Sequence, residues 1–129
     1  KDIRMFSTST FRSALGILAL AFASFPATAH HGWGGNADEE FELKGTVEKS
    51  VSLAGPHATM KVKAEGKVWD ITLAPPARTE AAGLKEGTIP VGAAVTIHGH
   101  RNKQASRLEI KTERVTWNGH TYDVYPDRK

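Results

Sequence analysis

A mainly β chain is predicted here, folded as a small OB-fold-like barrel of five to six strands with one short helix. Three observations predict it. Short runs of apolar–polar alternation recur along the chain, a proline-opened helical stretch separates the third run from the fourth, and an Asn-Gly turn joins the last two. Three strands, a helix, then two or three more strands is the order of a five-stranded Greek-key barrel, with a small β-sandwich as the alternative.

Alternation begins at Phe41. Phe41, Leu43, Gly45 and Val47 share one face and Glu42, Lys44, Thr46 and Glu48 the other, so a half-buried strand runs towards Leu53. Gly55-Pro56 breaks it. The second strand turns Ala58, Met60, Val62 and Ala64 inward and His57, Thr59, Lys61 and Lys63 outward. Glu65-Gly66 makes a tight turn into the third strand, where Trp69, Ile71 and Leu73 face the core. Pro76 suits a helix's first position and Gly83 its end, which predicts a short helix from Pro76 through Leu84. After a loop over residues 88–92, Val95, Ile97 and Gly99 make the fourth strand, and Leu108 and Ile110 open the fifth. Asn118-Gly119 favours a type I′ hairpin, pairing the stretch around Val115 with that around Tyr122 and Val124.

Upstream of this domain lies an export grammar. Lys1, Arg4 and Arg12 form a positive region, residues 13–25 are apolar, and Pro26 precedes the small-x-small triplet Ala27-Thr28-Ala29. The apolar run falls short of the roughly 20 residues a spanning helix needs. Residues 1–29 are therefore expected to be a signal peptide cut after Ala29, with an uncleaved anchor as the alternative. The mature chain then has no membrane span and lies in the periplasm or outside the cell. Residues 30–40 form a Gly-rich and then acidic lead-in, and residues 41–129 form the OB-like β domain.

Processing changes the charge. The chain holds 17 Lys and Arg and 14 Asp and Glu. Export removes Lys1, Arg4, Arg12 and Asp2, leaving 14 basic and 13 acidic residues and a formal net charge of +1. Nucleic-acid binders carry a concentrated basic surface, so that class of partner is not expected. Cysteine is absent, which excludes disulfides, thiolate metal sites and thiol catalysis. The elbow, phosphate-loop and zinc-helix motifs of common enzymes are missing too, so no catalysis is expected unless a bound metal performs it.

The sharpest chemistry sits at the predicted cut. With His30 as first residue, its free α-amine, whose pKa near 8 lies within reach of neutrality, and its imidazole can chelate one ion. A second imidazole supplied by the fold completes a three-nitrogen set, and planar nitrogen ligands suit Cu(II). His57, beside the Gly55-Pro56 break, is the expected distant ligand. His31 offers another grip, through the amine, the intervening peptide nitrogen and its own imidazole. His98 and His100, at i and i+2 and so on one face of the fourth strand, form a rival pair; His120 in the hairpin is ordinary. No acidic residue stands out as partner to any histidine. Trp33 is expected to staple the lead-in onto the barrel and so to position His30.

Four stretches carry a resemblance: His30-His31-Gly32-Trp33, Pro56-His57-Ala58, Leu73-Ala74-Pro75-Pro76 with Arg78, and Tyr122 through Arg128. In these the chain resembles an uncharacterised family of small exported bacterial proteins, a domain of unknown function. The resemblance implies an OB-like exported domain and brings no activity. It falls on the same His30 and His57. Two functions are expected: an exported metal-binding protein, with copper as the metal, using His30, His31 and His57; or a non-catalytic OB-type envelope module gripping an oligosaccharide, peptide or protein partner.

Overall fold

A computed structural model describes residues 33–128; the predicted signal peptide, His30 and His31 lie outside them. Six strands and one helix follow in the order β1 (Phe41–Ser52), β2 (Thr59–Ala64), β3 (Lys67–Thr72), α1 (Pro76–Ala81), β4 (Ala94–Arg101), β5 (Glu109–Trp117) and β6 (His120–Asp123). The sheet runs β3-β2-β1-β4-β5-β6, and β3 also pairs with β5 in parallel through Asp70–Glu109, Ile71–Ile110 and Thr72–Lys111. That parallel pairing closes five strands into a barrel and leaves β6 as an extra strand outside it. A sandwich would have no such closure.

β1 makes the closure possible because it belongs to both halves of the wall. Residues 41–46 pair with β4, and residues 46–52 pair with β2 across two irregularities in register. The bend is tight at Gly45, where a Cβ would run into the Lys63 carbonyl and lie 2.8 Å from Val62 Cγ1. Gly99 is pressed in the same way against the Lys111 carbonyl and Ile110 Cγ2. Both sites need the absent side chain.

Inward residues fill the barrel as the alternation predicts. Val47, Val51, Met60, Val62, Ile71, Ile97, Ile110 and Val115 are all buried. At the Val51 end the connection between β3 and β4 covers the core. Gly87 N–H donates to the Val51 carbonyl at 2.8 Å, and Leu84 and Ile89 are buried beside it. Ile89, a β-branched residue, is held at φ 66°, a conformation sustained by full burial of its side chain.

The helix is shorter than expected. It stops at Ala81, and Gly83 at φ 101° turns the chain so that Leu84 enters the core instead of extending the helix. Both predicted turns are present: Glu65-Gly66 and Asn118-Gly119 have positive φ at both residues, the type I′ signature. No helix among the described residues is long and apolar enough to cross a membrane.

Candidate functional site

The lead-in docks on the outer wall at the end of β4. Asn36 N–H donates to the Trp33 carbonyl at 3.0 Å, closing a turn over Gly34-Gly35. Asn36 bridges to Asn102, Ala37 N–H donates to the Arg101 carbonyl at 2.8 Å, and Lys103 N–H donates to the Gly35 carbonyl at 3.0 Å. The Asn36 side-chain amide donates to the His100 carbonyl at 3.1 Å. A Gly-rich stretch without apolar period is thereby held as a short added ladder.

Trp33 is the anchor, 9% exposed. Its ring meets His100 edge-on at 5.6 Å and Tyr125 at 5.2 Å. Arg128 lies over it at 4.0 Å and Lys111 at 4.9 Å. Arg78 of α1 in turn covers the Tyr125 ring at 5.1 Å. Cations over indole faces are attracted by the ring quadrupole, more strongly where water is excluded. The two ends of the domain therefore clasp one another across β4 and β5. Burial lowers the Lys111 pKa, with Glu109 opposing and Arg128 adding to the shift. Burial raises that of Tyr125, against the pull of Arg78 and Arg128.

Beneath the clasp lies a charged pair that alternation did not reveal. Register slips between His98–Arg114 and Gly99–Thr112, so Glu113 is the extra residue of a β-bulge. Its carbonyl accepts the N–H groups of Val124 at 2.9 Å and Tyr125 at 3.1 Å, which fixes the C-terminal segment. Its buried carboxylate meets His100 Nε2, while His100 Nδ1 lies 2.8 Å from the Ala37 carbonyl. Both ring nitrogens thus face oxygen atoms, the Ala37 carbonyl on one side and the Glu113 carboxylate on the other. Arg114 and Arg128 flank the same carboxylate at 3.5 and 3.8 Å, and Arg114 also binds Glu40 at 2.6 Å. A cleft of about 360 Å³ opens beside the pair, with Asp38 and Asp127 on its rim.

These contacts correct one expectation and redirect another. Histidines of this chain do have acidic partners: Glu113 for His100, and Glu42 for His98 at 3.2 Å. The rival pair His98 and His100 shares the outer face as spaced, but each ring is engaged by its own carboxylate. His57 differs. It is half-buried in the bend before β2, and its ring makes no hydrogen bond or ion pair among the described residues. Two residues on, Thr59 pairs with Thr72, and Thr72 with Lys111, the residue under Trp33. Two strand spacings, about 10 Å, therefore separate Thr59 from the floor of the clasp. Among the described residues no three His, Asp or Glu side chains converge as a metal site.

A profile described as "Family of unknown function (DUF6152)" matches residues 18–111, more than half of the chain. The chain belongs to this family. The matched span includes His30, His31, Trp33, His57 and His100 and stops before Glu113 and Arg128. No curated protein matches the sequence.

Similarity to solved structures concerns the barrel. A ZRD-deleted mutant of TiaS in complex with agmatine superposes with a TM-score of 0.50 at 14% identity, over 67% of this chain and 26% of that one. Apo TiaS, a tRNAIle2 agmatidine synthetase, gives 0.48 at 15% identity, over 61% and 18%. The S. pombe Stn1-Ten1 complex gives 0.49 at 13% identity, over 60% and 57%. The chain spans about a quarter or less of the TiaS chains it matches, and likeness at these identities concerns fold alone.

Proposed function

We propose that this member of the family is an exported metal-binding protein whose cargo is copper, serving binding, storage or delivery rather than turnover. Processing after Ala29 makes His30 the first residue, and its amine and imidazole chelate Cu(II) while His57 completes the set. The supporting observation is the seating of Trp33. Two residues, His31 and Gly32, separate it from His30, a reach of at most about 11 Å over three steps, so a buried Trp33 ties the terminus to one patch of the barrel. His57, with no ring hydrogen bond or ion pair among the described residues, lies two residues before Thr59, where the Thr59–Thr72–Lys111 row begins. His31 supplies the alternative amine–peptide–imidazole grip. A periplasmic or secreted location accompanies this reading.

The test begins with intact mass and metal analysis of the secreted protein. The mature chain takes up one Cu(II), and adding one residue before His30 removes the tight site. Undiminished affinity in the extended chain overturns the chelating terminus.

A second reading has its own support: an open cleft of about 650 Å³ at the Phe41 end of the barrel. It suits a non-catalytic envelope module for an oligosaccharide, peptide or protein. Pull-down from envelope extracts, with and without a chelator, separates the two. A partner retained equally in both conditions favours the module.

A further inference from the structure

At the Phe41 end the barrel is plugged by Phe41, Trp69 and Arg101. The two rings stack with centroids 5.7 Å apart and 28° between planes. Over them lies the Arg101 guanidinium, 5.2 Å from Phe41 and 4.9 Å from Trp69. Trp69 is buried, while Phe41, Arg101 and Leu108 are half-buried at the cleft wall.

Arg101 makes no hydrogen bond or ion pair from its side chain among the described residues. A guanidinium carries five N–H donors, all at its edge. Attraction to the ring faces does not use those donors, which remain for a partner. The acid opposite, Glu42, is already engaged by Lys44 at 3.6 Å and His98 at 3.2 Å. Lys67 stands on the rim with Glu65 beside it. A guanidinium over aromatic rings beside an apolar wall, its donors without a partner among the described residues, suits an oxyanion carried on a hydrophobic body.

We propose that this mouth binds a small organic oxyanion, a carboxylate or phosphate carried on an apolar or ring-shaped body. The oxyanion meets the Arg101 fork edge-on in two parallel hydrogen bonds, the body lies against Phe41 and Leu108, and Lys67 adds long-range attraction. This goes beyond the envelope-module reading, needing the same cleft but no macromolecular partner; copper at the amino terminus is not required.

The experiment is an NMR titration of the whole secreted chain, following the Trp69 indole N–H and the Arg101 Nε–H. The probes are benzoate and phenyl phosphate, with acetate and benzyl alcohol as controls. Expected is saturable 1:1 binding of benzoate or phenyl phosphate, with acetate about tenfold weaker for want of a body and benzyl alcohol inert for want of an anion. A preference between benzoate and phenyl phosphate names the oxyanion. Arg101→Gln lowers benzoate affinity about tenfold or more, and Arg101→Lys restores little because an ammonium cannot bond bidentately. Lys67→Gln, at an exposed position, weakens binding about two- to threefold and flattens its salt dependence, so a misfolded Arg101 variant does not end the test. Equal binding of benzyl alcohol, or benzoate binding unchanged by Arg101→Gln, overturns the proposal. An empty pull-down with benzoate bound sinks the macromolecular partner and leaves this site standing.

Discussion

His100 is held from both sides, its Nδ1 2.8 Å from the Ala37 carbonyl and its Nε2 on the Glu113 carboxylate. One imidazole therefore links the docked lead-in to the bulge of β5. Removing its buried partner leaves a polar ring and two guanidinium groups without their shared anion. Glu113→Ala is expected to destabilise by about 3–5 kcal/mol, the scale of a broken buried pair. Glu113→Gln, which keeps an acceptor, costs about 1–3 kcal/mol. Urea unfolding at constant m-value measures both, and equal midpoints for Glu113→Ala and the parent would refute the link.

Trp33 carries the clasp. Replacing it with Ala removes a buried ring and the seat of two cations, with a loss of about 3–5 kcal/mol expected for a large aromatic truncation. If the clasp positions the copper-binding terminus, the same variant weakens Cu(II) binding about tenfold while Trp33→Phe keeps most of it. Competitive titration against a chelator of known affinity reads the difference.

His57 is the third ligand in that reading, and its ring makes no hydrogen bond or ion pair among the described residues. His57→Ala is expected to lower Cu(II) affinity about tenfold or more with little effect on thermal stability. Unchanged affinity together with loss in a His31→Ala variant would move the site to the amine–peptide–imidazole grip.

Lys111 and Tyr125 give alkaline stability two opposing slopes. Burial lowers the Lys111 pKa below 10.5, so on raising pH the folded chain sheds that proton before the unfolded one, and stability rises through the interval. Burial raises the Tyr125 pKa above 10.0, so the unfolded chain ionises first and stability falls as pH climbs past 10.0. Lys111→Met should therefore steepen the alkaline decline and Tyr125→Phe should flatten it. Denaturant midpoints between pH 8 and about pH 11 test both signs against these ordinary values.

Gly99 and Gly45 are where the wall cannot accept a methyl group. Gly99→Ala sets a Cβ against the Lys111 carbonyl and 2.9 Å from Ile110 Cγ2, so backbone must shift. A loss of about 1–3 kcal/mol or more is expected, read as a fall in denaturation midpoint. Gly34→Ala, with nothing near its Cβ position, is the control that should change little.

Much of the barrel was legible because its strands alternate and its turns use residues that tolerate positive φ. Phe41 through Val47, Met60 through Ala64 and Trp69 through Leu73 read as core faces, and Asn118-Gly119 read as a hairpin. The His100–Glu113 pair was not legible, since a glutamate amid polar neighbours reads as a solvated face. A signal did exist. Inward positions on β5 run Ile110, Thr112 and then Val115, an odd step that period two cannot make without an extra residue. That residue is Glu113.

Apolar periodicity and turn chemistry, which are local, determined by themselves that this chain forms short strands with one helix between the third and fourth, and composition alone excluded cysteine chemistry. Only the tertiary structure decided that β3 meets β5 to close the barrel, that His98 and His100 are taken by carboxylates, and that Trp33 is seated between the two ends of the domain. Those outcomes depend on groups far apart in sequence, such as Trp33 with Arg128 and Glu42 with His98, whose encounter is set by strand register and by the bulge of β5. Period marks the bulge only as an odd step and carries no record of which strands meet.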